Sequence, residues 1–468
     1  MTDPDARRFA ASRAHQRRAH RLIPGGAHTY ARGDDQMPEW MPVVVDRGEG
    51  AHVWDLDGNR YIEYGQGLRA VTLGHAEPRV TAAAAGWLSR GAGFSRPSRV
   101  ELEAAETLLD LVGADRVKFC KDGSSATTAA VKLARAATGR DAVAVCLDHP
   151  FLSQDDWFVA TTPMAAGIPQ AVRDLTVGFP YGDLAALADA LDAHRPACVV
   201  MEAVRDDADP TDYLRAAIDA CRQRGVVFVL DEMITGFRWS ERGAQGLFGL
   251  DPDLSTFGKA LGNGHSVSAL AGKRDLMELG GLGAPADRVF LLSSTHGAET
   301  HSLAAAVAAM EIARDEDVAG RLMAQGARLR RGVAQAVRQS GAQGFVGIAG
   351  RDCNLVFTTK GPGGRASQDY RTLFLQELTR RGVLAPSFVV TTAHTDGVID
   401  QTVEAVSAAL AVYVQALDAG SVAGFLRGRP VQPVFRSRVG TVWSAPVSAP
   451  ASGNDAPSVP LVTQPTPS

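Results

Sequence analysis

The sequence predicts an α/β protein built on a mostly parallel sheet, with a smaller α+β part in its last third. Three observations carry this. Between about residues 100 and 260, short Val-rich runs at 142–147, 197–201 and 226–230 lack polar alternation, as strands buried on both faces do. Amphipathic helical stretches separate them, so right-handed crossovers place helices on both sides of the sheet. The length, 468 residues with 45% hydrophobic and 21% charged, suits one large globular unit with an accessory.

Taken in order, residues 5–21 are basic and Ala-rich and read as one helix that stops at Pro24-Gly25-Gly26. Residues 43–64 alternate like strands and turn at Asp57-Gly58-Asn59. Helix is expected over 101–111, a short strand over 117–120, and a strong helix over 125–137. Strands at 142–147, 197–201 and 226–230 are then separated by helices at 181–193 and 212–224. Two Ala-rich helices, 302–312 and 318–339, lead to a strand reading over 344–357 and helices at 371–381 and 398–417. Residues 441–468 are rich in Pro, Ser and Ala with hardly any charge, and read as a disordered tail. No internal repeat is evident.

Charge and cysteine use exclude several classes of function. Forty-eight basic residues nearly cancel 52 acidic ones, and a net charge of -4 gives no footprint for nucleic acid or an anionic membrane. Five cysteines without a CxxC pair argue against a disulfide scaffold or a cysteine-type zinc site, and no metal is expected. The N-terminal segment has no apolar core before Leu22, and no later run reaches the length of a membrane span. A cytoplasmic protein is the expectation.

Ligands of a parallel sheet bind past the carboxyl ends of its strands, so those ends hold the candidate residues. They are Asp122-Gly123-Ser124-Ser125, Asp148-His149-Pro150-Phe151, Glu202, Asp231-Glu232 and Ser255-Thr256-Phe257-Gly258-Lys259. The first is a glycine turn feeding a helix, where free N–H groups and the helix field favour a phosphate. Serine after glycine is more often a plain cap. Asp231 closes an apolar run, where a carboxylate is costly unless paired. Lys259 follows 28 residues later between glycine-rich turns, either as a solvated loop residue or as a Schiff-base lysine with a lowered pKa. Phosphate cradle, carboxylate and lysine on one sheet edge are the parts a pyridoxal phosphate enzyme needs.

On these residues, and on the stretch VVFVLDEMITGFRWSERGAQGLFGLDPDLSTFGKALGNGHSVSALAG, the chain resembles the class III aminotransferases of PLP fold type I. Within them it is most similar to the glutamate-1-semialdehyde 2,1-aminomutase-like branch. The pieces GEGAHVWDLDGNRYIEY, DGSSATTAAVKLARAATGR and LLSSTHGAETHSLAAA add to the likeness, which runs from about residue 22 to 417. The resemblance implies a large domain with a seven-stranded, mostly parallel sheet (76–325) and a small α+β domain from both termini (1–75 with 326–440). It implies pyridoxal 5'-phosphate on Lys259, Asp231 at the pyridine nitrogen, Met233 and Ile234 against the ring, and Gly123 and Ser124 at the phosphate. Glu202 would lie near the cofactor hydroxyl. Thr295 would reach the phosphate of the neighbouring subunit, implying a homodimer with composite sites. The reaction implied is amino transfer between a small amino donor and a carbonyl acceptor. Intramolecular aminomutase or a related racemase or lyase is the alternative, and a non-catalytic protein of this fold a third.

The sequence departs from the family pattern. Ser125 stands where a glutamate is usual, and Asp148-His149-Pro150 replaces an aromatic-His-Gly, so His149 or Phe151 is the candidate for the ring face. Arg32 and Arg69 lie in the segments that line the substrate entrance in relatives. Each is read as a carboxylate fork or as an ion-pair partner of Asp34, Asp35 or Glu63.

Overall fold

The computed structural model describes residues 8–204, 209–285 and 287–435, so the expected tail at 441–468 lies outside the described residues. The strands are β1 (Val45–Glu49), β2 (His52–Asp55), β3 (Arg60–Glu63), β4 (Arg116–Cys120), β5 (Val143–Cys146), β6 (Thr176–Phe179) and β7 (Cys198–Glu202). They continue as β8 (Val227–Asp231), β9 (Leu254–Phe257), β10 (Ser268–Gly272), β11 (Val346–Ala349), β12 (Val356–Thr359) and β13 (Val383–Leu384). Seven of them form one sheet in the order β4-β10-β9-β8-β7-β5-β6, parallel except where β10 runs against β4 and β9. The α/β expectation therefore holds, and so does the seven-stranded sheet.

Two strands of that sheet, β6 and β10, are additions to the sequence reading, which marked a third, β9, only by its carboxyl end. In β6 only Phe179 is buried, so its pattern carries no apolar run, and the helix expected from 181 starts instead at Leu184 behind the Asp183 cap. In β10, SALAG is fully buried but holds only small residues and one Leu, so nothing in its composition announces a strand. The single strand read over 344–357 is a hairpin of β11 and β12, broken at Gly350 (φ 86°) and the 3-10 turn Asp352–Asn354.

A second, four-stranded sheet has the order β1-β2-β3-β13. Its β3 and β13 pair in parallel, Ile62 opposite Val383 and Leu384 opposite Glu63, so the two halves of the chain share one sheet. The turn between β2 and β3 is set by Asp55, whose carboxylate accepts N–H bonds from Asp57 (3.0 Å) and Asn59 (2.8 Å) around Gly58. Helix Asp396–Asp418 is long and apolar enough to cross a membrane by composition, yet it packs on helices Val318–Ser340 and Gln368–Arg380 with Tyr413 and Leu410 fully buried. All five cysteines are free and buried, acting as small core residues.

Candidate active site

Strand register brings the chemistry to one edge. Glu202 stands opposite Asp231 across β7 and β8, and Asp231 opposite Thr256 across β8 and β9, so three strand ends finish level. Lys259 lies two residues past β9, its backbone in the left-handed region (φ 47°), which a non-glycine residue adopts only when its surroundings impose it. Those surroundings are tight. A Cβ on Gly258 would come 2.5 Å from Ser268 Oγ and 2.7 Å from Met233 Sδ. On the other side of Met233, a Cβ on Gly123 would also meet its Sδ at 2.7 Å. Both glycines are thus required by close approach.

Asp231 is 2% exposed, and its Oδ1 accepts both of its hydrogen bonds, from Met233 N–H (2.9 Å) and Thr256 Oγ1–H (3.1 Å). Oδ2 has no partner among the described residues. Nζ of Lys259 likewise makes no hydrogen bond or ion pair there. Burial holds the Lys259 ammonium below its ordinary range against the pull of Asp231 and Glu202, with Arg69 and Arg238 adding to the depression. Burial pushes the carboxyls of Asp231 and Glu202 up, Lys259 opposing in both cases and the Asp231 charge adding to the rise at Glu202.

Helix Gly123–Thr138 begins beside these strand ends. Asp122 caps it by accepting from Ser125 N–H (2.8 Å), while no intrahelical acceptor precedes the N–H groups of Gly123 and Ser124. The Ser124 hydroxyl accepts from Gln154 N–H (2.9 Å), so the chain after β5 is folded over this helix start. In that turn, His149 is buried and its Nδ1 accepts from the Glu202 N–H at 3.1 Å. Phe151 is 46% exposed and lies edge-on to Phe158 with centroids 5.8 Å apart. The Asp148 carboxylate accepts from Tyr181 N–H (2.6 Å). Ile234 is half-buried in the turn after Met233, and Thr295 is exposed.

The two arginines part company. Arg69 is close enough to raise the electrostatic stakes at both Glu202 and Lys259. It ends a run of four left-handed residues, Gln66, Gly67, Leu68 and Arg69 (φ 46°, 59°, 62° and 70°), a conformation that costs about 1–2 kcal/mol per non-glycine residue. The Glu63 carboxylate holds that run by accepting Gln66 N–H at 2.7 and 2.8 Å. Arg32 is exposed on the wall of a neighbouring cavity of about 700 Å³. The ion-pair alternative fails at Asp34 and Glu63, which take other partners. Asp34 pairs with His20 (3.0 Å) and Arg429 (3.5 Å), Glu63 pairs with His75 (3.2 Å), and Arg69 Nε donates to Asn354 Oδ1 (2.9 Å).

Sequence reading missed two residues that shape this region, Arg238 and Asn263, and named a third, Glu232, at a strand end without giving it a role. Arg238 is fully buried and donates to the carbonyls of Arg69, Val71, Cys353 and Val390 and to Thr72 Oγ1, all at 3.1–3.3 Å. Asn263 ties the segment before it to the lysine turn, accepting from Thr72 N–H (2.9 Å) and Leu73 N–H (3.0 Å). Glu232 is a helix anchor that accepts from Ala244 N–H (2.9 Å) and Gln245 N–H (2.7 Å). An arginine and a glutamate inside apolar stretches were the available signals.

Glu232 gives a pH prediction. Burial lifts its carboxyl to about 7, above the unfolded chain's ordinary value, so between about pH 4.5 and pH 7 the folded state binds the extra proton. Its contribution is present below that window and lost as pH rises through it, by about 1.4 kcal/mol for each pH unit crossed. The melting temperature of cofactor-free protein is expected to fall across this range, and Glu232→Gln to flatten the slope. An identical slope in that variant would assign the effect elsewhere.

The family model described as aminotransferase class-III matches residues 29–405. The chain belongs to the class III aminotransferases. It is 34% identical to the glutamate-1-semialdehyde 2,1-aminomutase of Chloroflexus aggregans over 434 residues, 86% of this chain and 98% of that protein. Among solved structures, it matches the FumI protein of Sphingopyxis sp. MTA144 in its PLP internal aldimine form (27% identity, TM-score 0.80, covering 89% and 100% of the two chains). An omega-transaminase from Sphaerobacter thermophilus matches at 25% identity and a TM-score of 0.77, over 86% and 97%.

Proposed function

We propose that this class III aminotransferase is a pyridoxal phosphate enzyme that moves an amino group between an amino donor and a carbonyl acceptor, with Lys259 carrying the cofactor. The observation that carries the reading is that Lys259 Nζ and Asp231 Oδ2, on neighbouring strand ends, both lack a partner among the described residues. The residues fit the cofactor. Gly123 and Ser124 offer amide donors beside a glycine whose missing Cβ leaves room only for Met233. Asp231 would supply the counter-charge for a cationic ring nitrogen, and Met233, with Ile234 in the same turn, would back the ring.

When bound, the cofactor supplies an electron sink for a substrate carbanion. Everything else falls to the chain. Lys259, with its ammonium destabilised by burial, takes the substrate proton as a base and returns it as an acid. Glu202, its carboxyl pushed up by burial and by the Asp231 charge against the pull of Lys259 and Arg69, is biased toward the protonated form, in which it donates a hydrogen bond. We assign the ring-facing role to the Asp148–Phe151 turn, of which His149 is the part fixed to Glu202. Arg69, and Arg32 at the outer wall, bind substrate carboxylate. The division at 75/76 and 325/326 gives a cofactor-binding unit and a smaller unit whose two parts the β3–β13 pairing joins, and the boundary expected at 440/441 lies outside the described residues. We place the enzyme in the cytoplasm, where free buried cysteines persist.

The test is a half-reaction. Amino donors (glutamate, alanine, ornithine, ω-amino acids, amino sugars) are mixed with the loaded enzyme, and the visible cofactor band and keto product are followed. One donor that bleaches the band and yields product equal to sites supports transfer. Persistence of the band with every donor moves the assignment to aminomutase, which the likeness to the Chloroflexus aggregans protein favours as second reading.

Thr295 is exposed in the single chain, which supports its reaching a neighbour's phosphate in a homodimer. Losing one hydrogen bond to a charged group costs about 1.5–3 kcal/mol, so Thr295→Val is expected to weaken cofactor retention about tenfold or more without unfolding the subunit. Light scattering that found a fully active monomer would reject the composite site.

A further inference from the structure

Beside the lysine site, and sharing Arg69 with it, lies a cavity of about 410 Å³ whose charge is unbalanced. Its polar wall is made by Gln36, Arg69, Gln368, Arg371, Ser387 and Gln432, and no Asp or Glu lines it among the described residues. Arg371 donates through Nη2 to the Pro386 carbonyl (2.7 Å), and its guanidinium stacks over Phe357, 4.7 Å from the ring centroid. Arg69 donates through Nε to Asn354. Neither arginine has a carboxylate within ion-pair distance among the described residues. Nη1 and Nη2 of Arg69 and Nε and Nη1 of Arg371 have no partner there either, yet none of the four is fully buried.

Buried or half-buried guanidinium groups are normally paired, because their desolvation is otherwise uncompensated. Burial alone depresses the Arg371 pKa, with no charge among the described residues opposing it. Both groups are also held in place before any ligand arrives. The left-handed run and the Arg238 clamp fix Arg69, while Phe357 and the Pro386 carbonyl fix Arg371. Two preset forks on one wall, with no acid there among the described residues, describe a receptor for an anion.

We propose that this cavity binds an anionic terminus of the substrate, a carboxylate or phosphoryl group remote from the reacting amine, between Arg69 and Arg371. The enzyme would thereby select amino compounds bearing a second acidic end. This rests on the cofactor reading above, since Arg69 is the side chain that borders both the lysine site and the cavity.

The test is calorimetric titration of the cofactor-loaded enzyme with glutarate, with inorganic phosphate and with neutral glutaramide. Saturable binding of glutarate identifies a carboxylate site, and of phosphate a phosphoryl site. Either should weaken about tenfold or more in Arg371→Gln and less in Arg371→Lys, which keeps the charge but loses the fork. Binding of neither anion to the wild-type enzyme, glutaramide binding as well as glutarate, or undiminished binding in Arg371→Gln overturns the proposal. The wild-type titration decides even if the variant fails to fold. Borohydride labelling of Lys259 on the same sample separates the two readings. Label without anion binding sinks the cavity alone, whereas no label sinks the cofactor assignment.

Discussion

Lys259→Ala is expected to abolish covalent retention of the cofactor and to cut turnover by about 10²–10⁴-fold or more, the range that loss of a positioned proton-transfer group alone covers. The reason is geometric before it is chemical. Lys259 sits in a left-handed turn whose neighbours Gly258 and Asn263 are held by Ser268, Met233 and the 72–74 segment, so the side chain has one place to go. There it makes no hydrogen bond or ion pair among the described residues, whereas a lysine kept for structure would make one. Alanine therefore removes chemistry and no hydrogen bond. Lys259→Arg is the discriminating control, since it keeps a cation beside Asp231 and Glu202 but cannot carry the cofactor covalently. Borohydride reduction followed by peptide mapping should place the label on Lys259 in the wild type and nowhere in either variant. A label on another lysine, or substantial turnover in Lys259→Ala, would remove the central assignment.

That lysine was legible in the sequence for a physical reason. Parallel strands buried on both faces must be written in apolar residues, so Asp231 and Glu202 stand out where β8 and β7 stop, and register then sets them side by side. Strands β6 and β10 were silent because one is half-exposed and the other made of small residues, and neither writes the apolar run. The position of Arg69 was beyond reach. GQGLR gives no sign of four consecutive left-handed residues, a conformation that local preference opposes and that Glu63 and Arg238 impose from outside the segment. The same holds for Arg371, which sequence leaves as one of many arginines on an amphipathic helix. Only tertiary packing shows that it lines a cavity with no acid among the described residues.

Arg238→Met is expected to destabilise the protein by about 3 kcal/mol or more, a large share of an ordinary folding free energy of about 5–15 kcal/mol. Arg238 is fully buried, with its pKa pushed down only to about 10, so it is cationic at neutral pH. No carboxylate pairs with it among the described residues. Four carbonyls and one hydroxyl spread that charge instead, those of Arg69, Val71 and Thr72 from the N-terminal part and those of Cys353 and Val390 from the C-terminal part. Methionine fills a similar volume but leaves these acceptors buried without donors, and each unsatisfied one costs about 1–3 kcal/mol. Arg238→Lys keeps the charge as a single point and cannot span both parts at once, so an intermediate loss is expected. Denaturant midpoints and melting temperatures measure this directly. A Met variant within about 1 kcal/mol of wild type would mean that water or repacking replaces the clamp. The clamp also holds the Arg69 carbonyl, so the Lys variant, which still folds on this argument, is expected to bind glutarate less tightly than wild type. Stability lost with glutarate affinity intact would show that the left-handed turn holds Arg69 without its aid.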